Sequence, residues 1–390
     1  MRAFASGFAL AASLLGGIGA HFVEEDAGTR TSAGAATQIV KASATSGDAD
    51  VARAPTPAAT SPAVAPIATT IPAEKPGDIA LTSNTTSPQA ELLSVNKIWS
   101  EGEHNAFTDL VRHNNAFYCV FREAKAHVAP DGGVRVLTSV DGEKWESAAL
   151  VTRAEFDLRD PKIAVLPDGR LMLTSAGVKK GNYQTLAWHS QDGREWGEPV
   201  EIGEPNMWLW RVTWNGSAAF GVGYATSNDK FVRLYRSADG AEFEPLVANL
   251  FRDQYPNEAS LVFLPDETAL CLLRRDAGTN TAQLGTATPP YEKWTWRDVG
   301  RRIAAPNMIR LEDGRILAAG RSYTGAVRTS LLWLDPATAQ LTEFLKLPSG
   351  GDCGCPGIVM HDGLLWVSYY ASHEGRASIY FAKVRLPPAG

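Results

Sequence analysis

With 390 residues, 44% of them hydrophobic, the chain is long enough to bury a large core, and a net charge of −6 argues against generic binding to nucleic acid or to an acidic membrane surface. Four cysteines are too few and too scattered for a disulfide scaffold. The partners that fit are small or glycan-like.

Residues 1–20 carry one early charge, Arg2, and then an apolar run from Phe8 to Ala20 that ends in Ile18-Gly19-Ala20. This reads as a secretory signal peptide with a small-residue cleavage site, so the expected location is secreted or periplasmic. An uncleaved N-terminal anchor is the alternative, although 13 apolar residues fall short of the ~20 a spanning helix needs, and no stable membrane insertion is expected. Residues 21–91 are dominated by Ala, Thr, Ser, Pro and Gly and cannot bury enough surface to offset their ordering entropy; they read as a disordered linker.

Further along, Ser139-Val140-Asp141-Gly142-Glu143-Lys144-Trp145 recurs as Ser190-Gln191-Asp192-Gly193-Arg194-Glu195-Trp196 and as Ser237-Ala238-Asp239-Gly240-Ala241-Glu242-Phe243. The steps of 51 and 47 residues between the aspartates fall in the range of propellers and other repeat architectures. Asp-Gly supplies a tight turn, Ser a second local hydrogen-bonding group, and the aromatic a plug against the blade. The unit staples structure and carries no chemistry of its own.

A second repeat shares one plan: a polar opener, an apolar strand, a turn and another apolar strand. Its six copies run from His104 to Arg122, Arg159 to Ala176, Arg211 to Ala225, Asn257 to Arg275, Asn307 to Arg321 and Pro356 to Tyr370. Their turns fall at Asn114, Asp168, Asn215, Asp266, Asp313 and Asp362, in steps of 54, 47, 51, 47 and 49. Helical periodicity is absent, and runs such as Ile163-Ala164-Val165-Leu166 against Leu171-Met172-Leu173-Thr174 across Pro167-Asp168-Gly169-Arg170 read as hairpins. The sequence predicts an all-β, six-bladed β-propeller of four-stranded antiparallel blades over residues 92–388.

Asp-box turns, six blades of about 50 residues and stretches such as Asn257-Glu258-Ala259-Ser260-Leu261-Val262 resemble the sialidase superfamily of glycoside hydrolases. The motif is specific for the fold and less so for substrate, since propellers of this kind also serve in other glycosidases, in polysaccharide lyases and in binding modules. The resemblance implies an axial mouth where the openers and closers of the hairpins converge. Glu258 resembles the family's glutamate that partners a nucleophilic tyrosine, Arg274 or Arg275 its second carboxylate-binding arginine, and Arg321 its third. Two departures stand out: His104-Asn105-Ala106-Phe107 replaces the family's Arg-Ile-Pro, and Cys353-Gly354-Cys355-Pro356 stands where its tyrosine is expected.

From the polar residues themselves, the candidate catalytic groups are His104, Asp160 and Glu258, with Glu123 as a further carboxylate. The candidate substrate-binding groups are Asn105, Arg122, Arg159, Arg211, Asn257, Arg275, Asn307, Arg321 and Tyr370. Several arginines facing one funnel suit a carboxylate or other anion of a sugar, because a guanidinium fork matches that geometry; the alternative is that each pairs with Glu123, Asp160 or Glu258 and joins blades. No metal or cofactor is expected: Cys353 and Cys355 with His104 or His127 are a weak zinc signal, and Cys119 and Cys271 read as core thiols. The expected function is an exported glycosidase removing a terminal acidic sugar from a glycan or oligosaccharide by acid/base catalysis, working as a monomer. A glycan-binding propeller, or a polysaccharide lyase using His104 and a tyrosine, stays open beside it.

Overall fold

The computed structural model describes residues 89–389. The expected signal peptide at 1–20 and most of the linker at 21–91 lie outside these residues. What is described is six four-stranded antiparallel sheets. Their first strands, His104–His113, Asp157–Val165, Met207–Asn215, Pro256–Phe263, Ile303–Arg310 and Cys353–His361, lie against one another in succession, and the first also lies against the sixth. The ring therefore closes as the six-bladed propeller read from the hairpin spacing.

Each inner hairpin turns where the sequence placed it, because the turn positions accept left-handed backbone. Asn114 and Asn115 have φ of 45° and 62°, and Asp362 has 50°. Asn and Asp tolerate that region better than other residues with a Cβ. The inner strands are apolar runs, and buried side chains from neighbouring blades merge between them. Between blades one and two, for example, Val120, Val136, Leu158, Ile163, Leu171 and Trp188 form one cluster.

The Ser-x-Asp-Gly turns join the two outer strands of blades one to three, as expected, with one hydrogen-bond pattern in all of them. Asp141 Oδ1 accepts from the backbone N–H groups of Glu143 and Lys144 at 2.8 and 2.9 Å and from Ser139 Oγ at 3.0 Å. Ser139 Oγ in turn accepts from Gly142 N at 2.9 Å, and the Ser190 and Ser237 turns repeat the arrangement. The turns do more than plug their own blade. Trp145 packs edge-on against Phe381 of the sixth blade at 4.8 Å. A Cβ on Gly193 would lie 2.3 Å from the Tyr118 ring of blade one, and one on Gly240 would meet Met172 of blade two. Each turn thus locks onto the preceding blade.

One element was not visible in the sequence plan. Glu91–Trp99 runs antiparallel to Ser378–Arg385 and completes the sixth blade as its outermost strand, so both ends of the described chain share one sheet.

Candidate functional site

The site is built by a bulge repeated in every inner strand. In blade one Ala106 pairs with Arg122 and Asp109 with Val120, so two residues of the inner strand face one of its partner. Equivalent shifts occur at Arg159/Lys162, Leu209/Val212, Pro256/Ala259, Ala304/Asn307 and Gly354/Gly357. A bulge re-aims the side chain it carries. In four blades the first bulged residue has positive φ: Phe107 at 66°, Asp160 at 47°, Ala305 at 49° and Cys355 at 45°. Such backbone costs of the order of 1–3 kcal/mol per residue in the absence of glycine and concentrates at functional sites. All four line one axial cavity of ≈ 200 Å³.

Charged and polar groups from several blades complete that cavity: Arg159, Glu258, Arg274, Arg321 and His127. Glu258 is fixed by a 2.7 Å ion pair with Arg274 and by the backbone N–H of Ala305 at 2.6 Å. Asp160 keeps some surface on the cavity but is otherwise deep in the protein. Burial, helped by the nearby charge of Glu258 and opposed by Lys162, pushes its carboxyl up to about 6. Two carboxyl groups from different blades therefore share one small cavity in unlike surroundings, a usual basis for dividing acid and base roles.

The arginines divide into two groups. Arg159 touches Asp157 through Nε at 2.6 Å, with its terminal nitrogens unclaimed by hydrogen bonds to the described residues. Arg321 bonds the Tyr370 hydroxyl at 2.6 Å, Asp352 at 3.3 Å and the carbonyl of Cys353. The others hold the scaffold. Arg122 is fully buried between Asp157, at 2.8 Å, and the carbonyls of Ala126 and Ala129. Arg211 forks onto Asp109, which also accepts the backbone N–H of Ile163, so one carboxylate ties blades one, two and three. Arg275, although adjacent to Arg274, points the other way, to Asp298 at 2.6 Å and to Thr279 and Thr281.

The asparagines and Glu123 also serve the scaffold. Asn105 donates to the carbonyls of Gly102 and Ala377, Asn257 to Asp276, and Asn307 to the Pro356 carbonyl of the next blade. Glu123 pairs with Arg135 and Trp99 outside the cavity. Tyr370 is buried below the rim, donating to Asp352 at 2.8 Å. His104 lines a neighbouring, wider cavity of ≈ 550 Å³, with Nε2 3.3 Å from Asp352 Oδ2; His127 borders both cavities.

Sequence reasoning named Asp160, Glu258, Arg159 and Arg321, and left Arg274 and Arg275 as alternatives. It passed over Phe107 and Ala305 because they are not polar, and weighed Cys355 only as part of a weak zinc signal and as the replacement for an expected tyrosine. A usable signal was present: Asp160-Pro161, Ala305-Pro306 and Cys355-Pro356 place a proline, which cannot donate to a ladder, early in three inner strands.

The fold and this axial cavity define the class of protein: a six-bladed propeller with a charged pocket at the bulged starts of its inner strands. The sequence matches no family model and no curated protein. Among solved structures, it is similar to a Dyadobacter fermentans protein of unknown function (TM-score 0.70, 20% identity, covering 77% of this chain and 100% of that one). It is also similar to the Penicillium chrysogenum alpha-L-arabinanase complexed with arabinobiose (TM-score 0.61, 13% identity, 75% and 98% covered). A third is the Trypanosoma rangeli sialidase in complex with the inhibitor DANA (TM-score 0.56, 12% identity, 76% and 60% covered). The neighbours thus include glycoside hydrolases of more than one substrate class, and at these identities the likeness establishes the fold.

Proposed function

We propose that this chain is an exported glycoside hydrolase that removes a terminal acidic sugar from glycans. Asp160 acts as general acid toward the glycosidic oxygen, and Glu258 as the second carboxylate, activating water or attacking the sugar directly. The observation that carries the reading is the pair itself: one carboxyl held protonatable near neutrality and another salt-bridged, on separate blades of one cavity. Cys355 occupies the region where the resemblance leads one to expect a nucleophilic tyrosine, and burial pushes its thiol up, away from the thiolate a nucleophile needs. The acidic-sugar element rests on Arg159, whose terminal nitrogens, unclaimed among the described residues, can fork onto a carboxylate.

The test is to incubate the full chain with chromogenic sialosides, uronides and arabinofuranosides. Hydrolysis of an acidic glycoside is expected, with Glu258→Gln lowering kcat by about 10²–10⁴. Turnover untouched by both Glu258→Gln and Asp160→Asn would refute the assignment. Preference for the arabinofuranoside would keep the hydrolase and discard the acidic sugar. An unsaturated uronate product would mean elimination, and binding without turnover a glycan-binding module.

A further inference from the structure

Beside the axial cavity, two imidazoles and a carboxylate from distant parts of the chain converge on one point. His127 Nδ1 lies 2.8 Å and His104 Nε2 3.3 Å from the same oxygen, Asp352 Oδ2. The three donor atoms all fall within 4.8 Å of one another. Neither carboxylate reading above uses them. We infer that His104, His127 and Asp352 form a binding site for a divalent transition-metal ion, of which zinc is the natural probe.

Geometry supports this. Ligand bonds of about 2.0–2.1 Å in a tetrahedral site set donor atoms roughly 3.3 Å apart; one separation, 3.3 Å, matches that value and the other, 2.8 Å, falls short of it by an amount that small side-chain adjustment covers. The donor set, two imidazoles and one carboxylate, is one that zinc and its neighbours accept. Without an ion both rings must direct an N–H at the same oxygen, whereas an ion among them would use one lone pair from each group. Asp352 is oriented from behind: Oδ1 accepts from the Tyr370 hydroxyl at 2.8 Å and from Arg321 at 3.3 Å, which leaves Oδ2 to face the rings. Outer partners of this kind fix a metal ligand's direction. The cysteines that first suggested zinc are buried and contribute no ligand atom to this group.

Three protein ligands leave further positions open, and these face the ≈ 550 Å³ cavity bordered by Glu103, Ser372 and Arg376. That is the arrangement of a site that exchanges water or a ligand oxygen and not of a closed structural one. Because His127 also lines the axial cavity, an oxygen of a bound sugar chain running between the cavities can reach the ion.

The test needs no substrate. The full chain is stripped with chelator and titrated with Zn²⁺ by calorimetry, and with Co²⁺ by visible absorption, which reports coordination geometry. One ion per chain is expected. His127→Ala, at an exposed position, and His104→Ala should each remove the tight site. Tyr370→Phe should weaken it by about 10-fold through the outer partner, and His373→Ala should leave it intact. Unchanged affinity in both His127→Ala and His104→Ala, or no more zinc bound by the wild-type chain than by the His104→Ala/His127→Ala double variant, would overturn the inference.

Discussion

Replacing Asp160 by Asn should stabilise the protein at neutral pH while removing its activity. The native carboxyl titrates at about 6 against a usual 3.8, because it is buried. A group whose folded value is raised contributes stability that is fully present below the unfolded value and lost as pH rises through the folded one. Ionised Asp160 therefore costs the fold roughly 3 kcal/mol at pH 7, from 1.36 kcal/mol per pH unit over that interval. Asn mimics the neutral acid and tolerates the left-handed backbone of this bulge, where φ is 47°. Urea or thermal unfolding at pH 7 should show Asp160→Asn more stable by up to that amount, about 5 °C for a domain of this size. The gap should close as pH falls toward 4. A variant no more stable than wild type at pH 7, or a difference that does not change between pH 7 and pH 4, would refute the reasoning about burial and with it the choice of Asp160 as acid.

Four further outcomes follow from the structure. Arg159→Ala should raise KM for an acidic glycoside at least about 10-fold, the loss expected for a charged hydrogen bond, and leave a neutral glycoside little changed; steady-state kinetics on the two substrates decides it. Gly193→Ala should destabilise by roughly 2–4 kcal/mol, since Ala would combine a φ of 72° with a contact of 2.3 Å to Tyr118. Gly169→Ala, with φ of 83° and open space, should cost only about 1 kcal/mol in the same denaturation assay. A chain starting at residue 100 lacks the outer strand of the sixth blade and should lose protection from hydrogen exchange first in Ser378–Arg385.

Much of the ring was legible because its signals are local. Asn114, Asp168, Asn215, Asp266, Asp313 and Asp362 mark their turns through their own backbone preferences, and apolar runs flank them. The outermost strand of the sixth blade was not legible, because Glu91 pairs with Arg385, 294 residues away, and Glu91–Trp99 has no turn to announce it. In the site, Asp160 and Glu258 were found by residue type. The choice between Arg274 and Arg275 depends on strand register, since successive side chains point to opposite faces. Arginine counting overestimated the pocket because Asp109, Asp157 and Asp298, which neutralise Arg211, Arg122 and Arg275, lie on other strands and carry no motif.

The shared sixth sheet also sets how the propeller can be held. Its strands pair Glu91 with Arg385 at one edge, and Trp99 with Ile379 at the other, the edge at which the inner strand of this blade carries Cys355 into the axial cavity. Residues 89 and 389 consequently lie at the edge of this sheet opposite the pocket. A tag, a surface or a fusion partner joined directly before residue 89 or after residue 389 would hold the propeller by its back, with the pocket turned outward to whatever approaches.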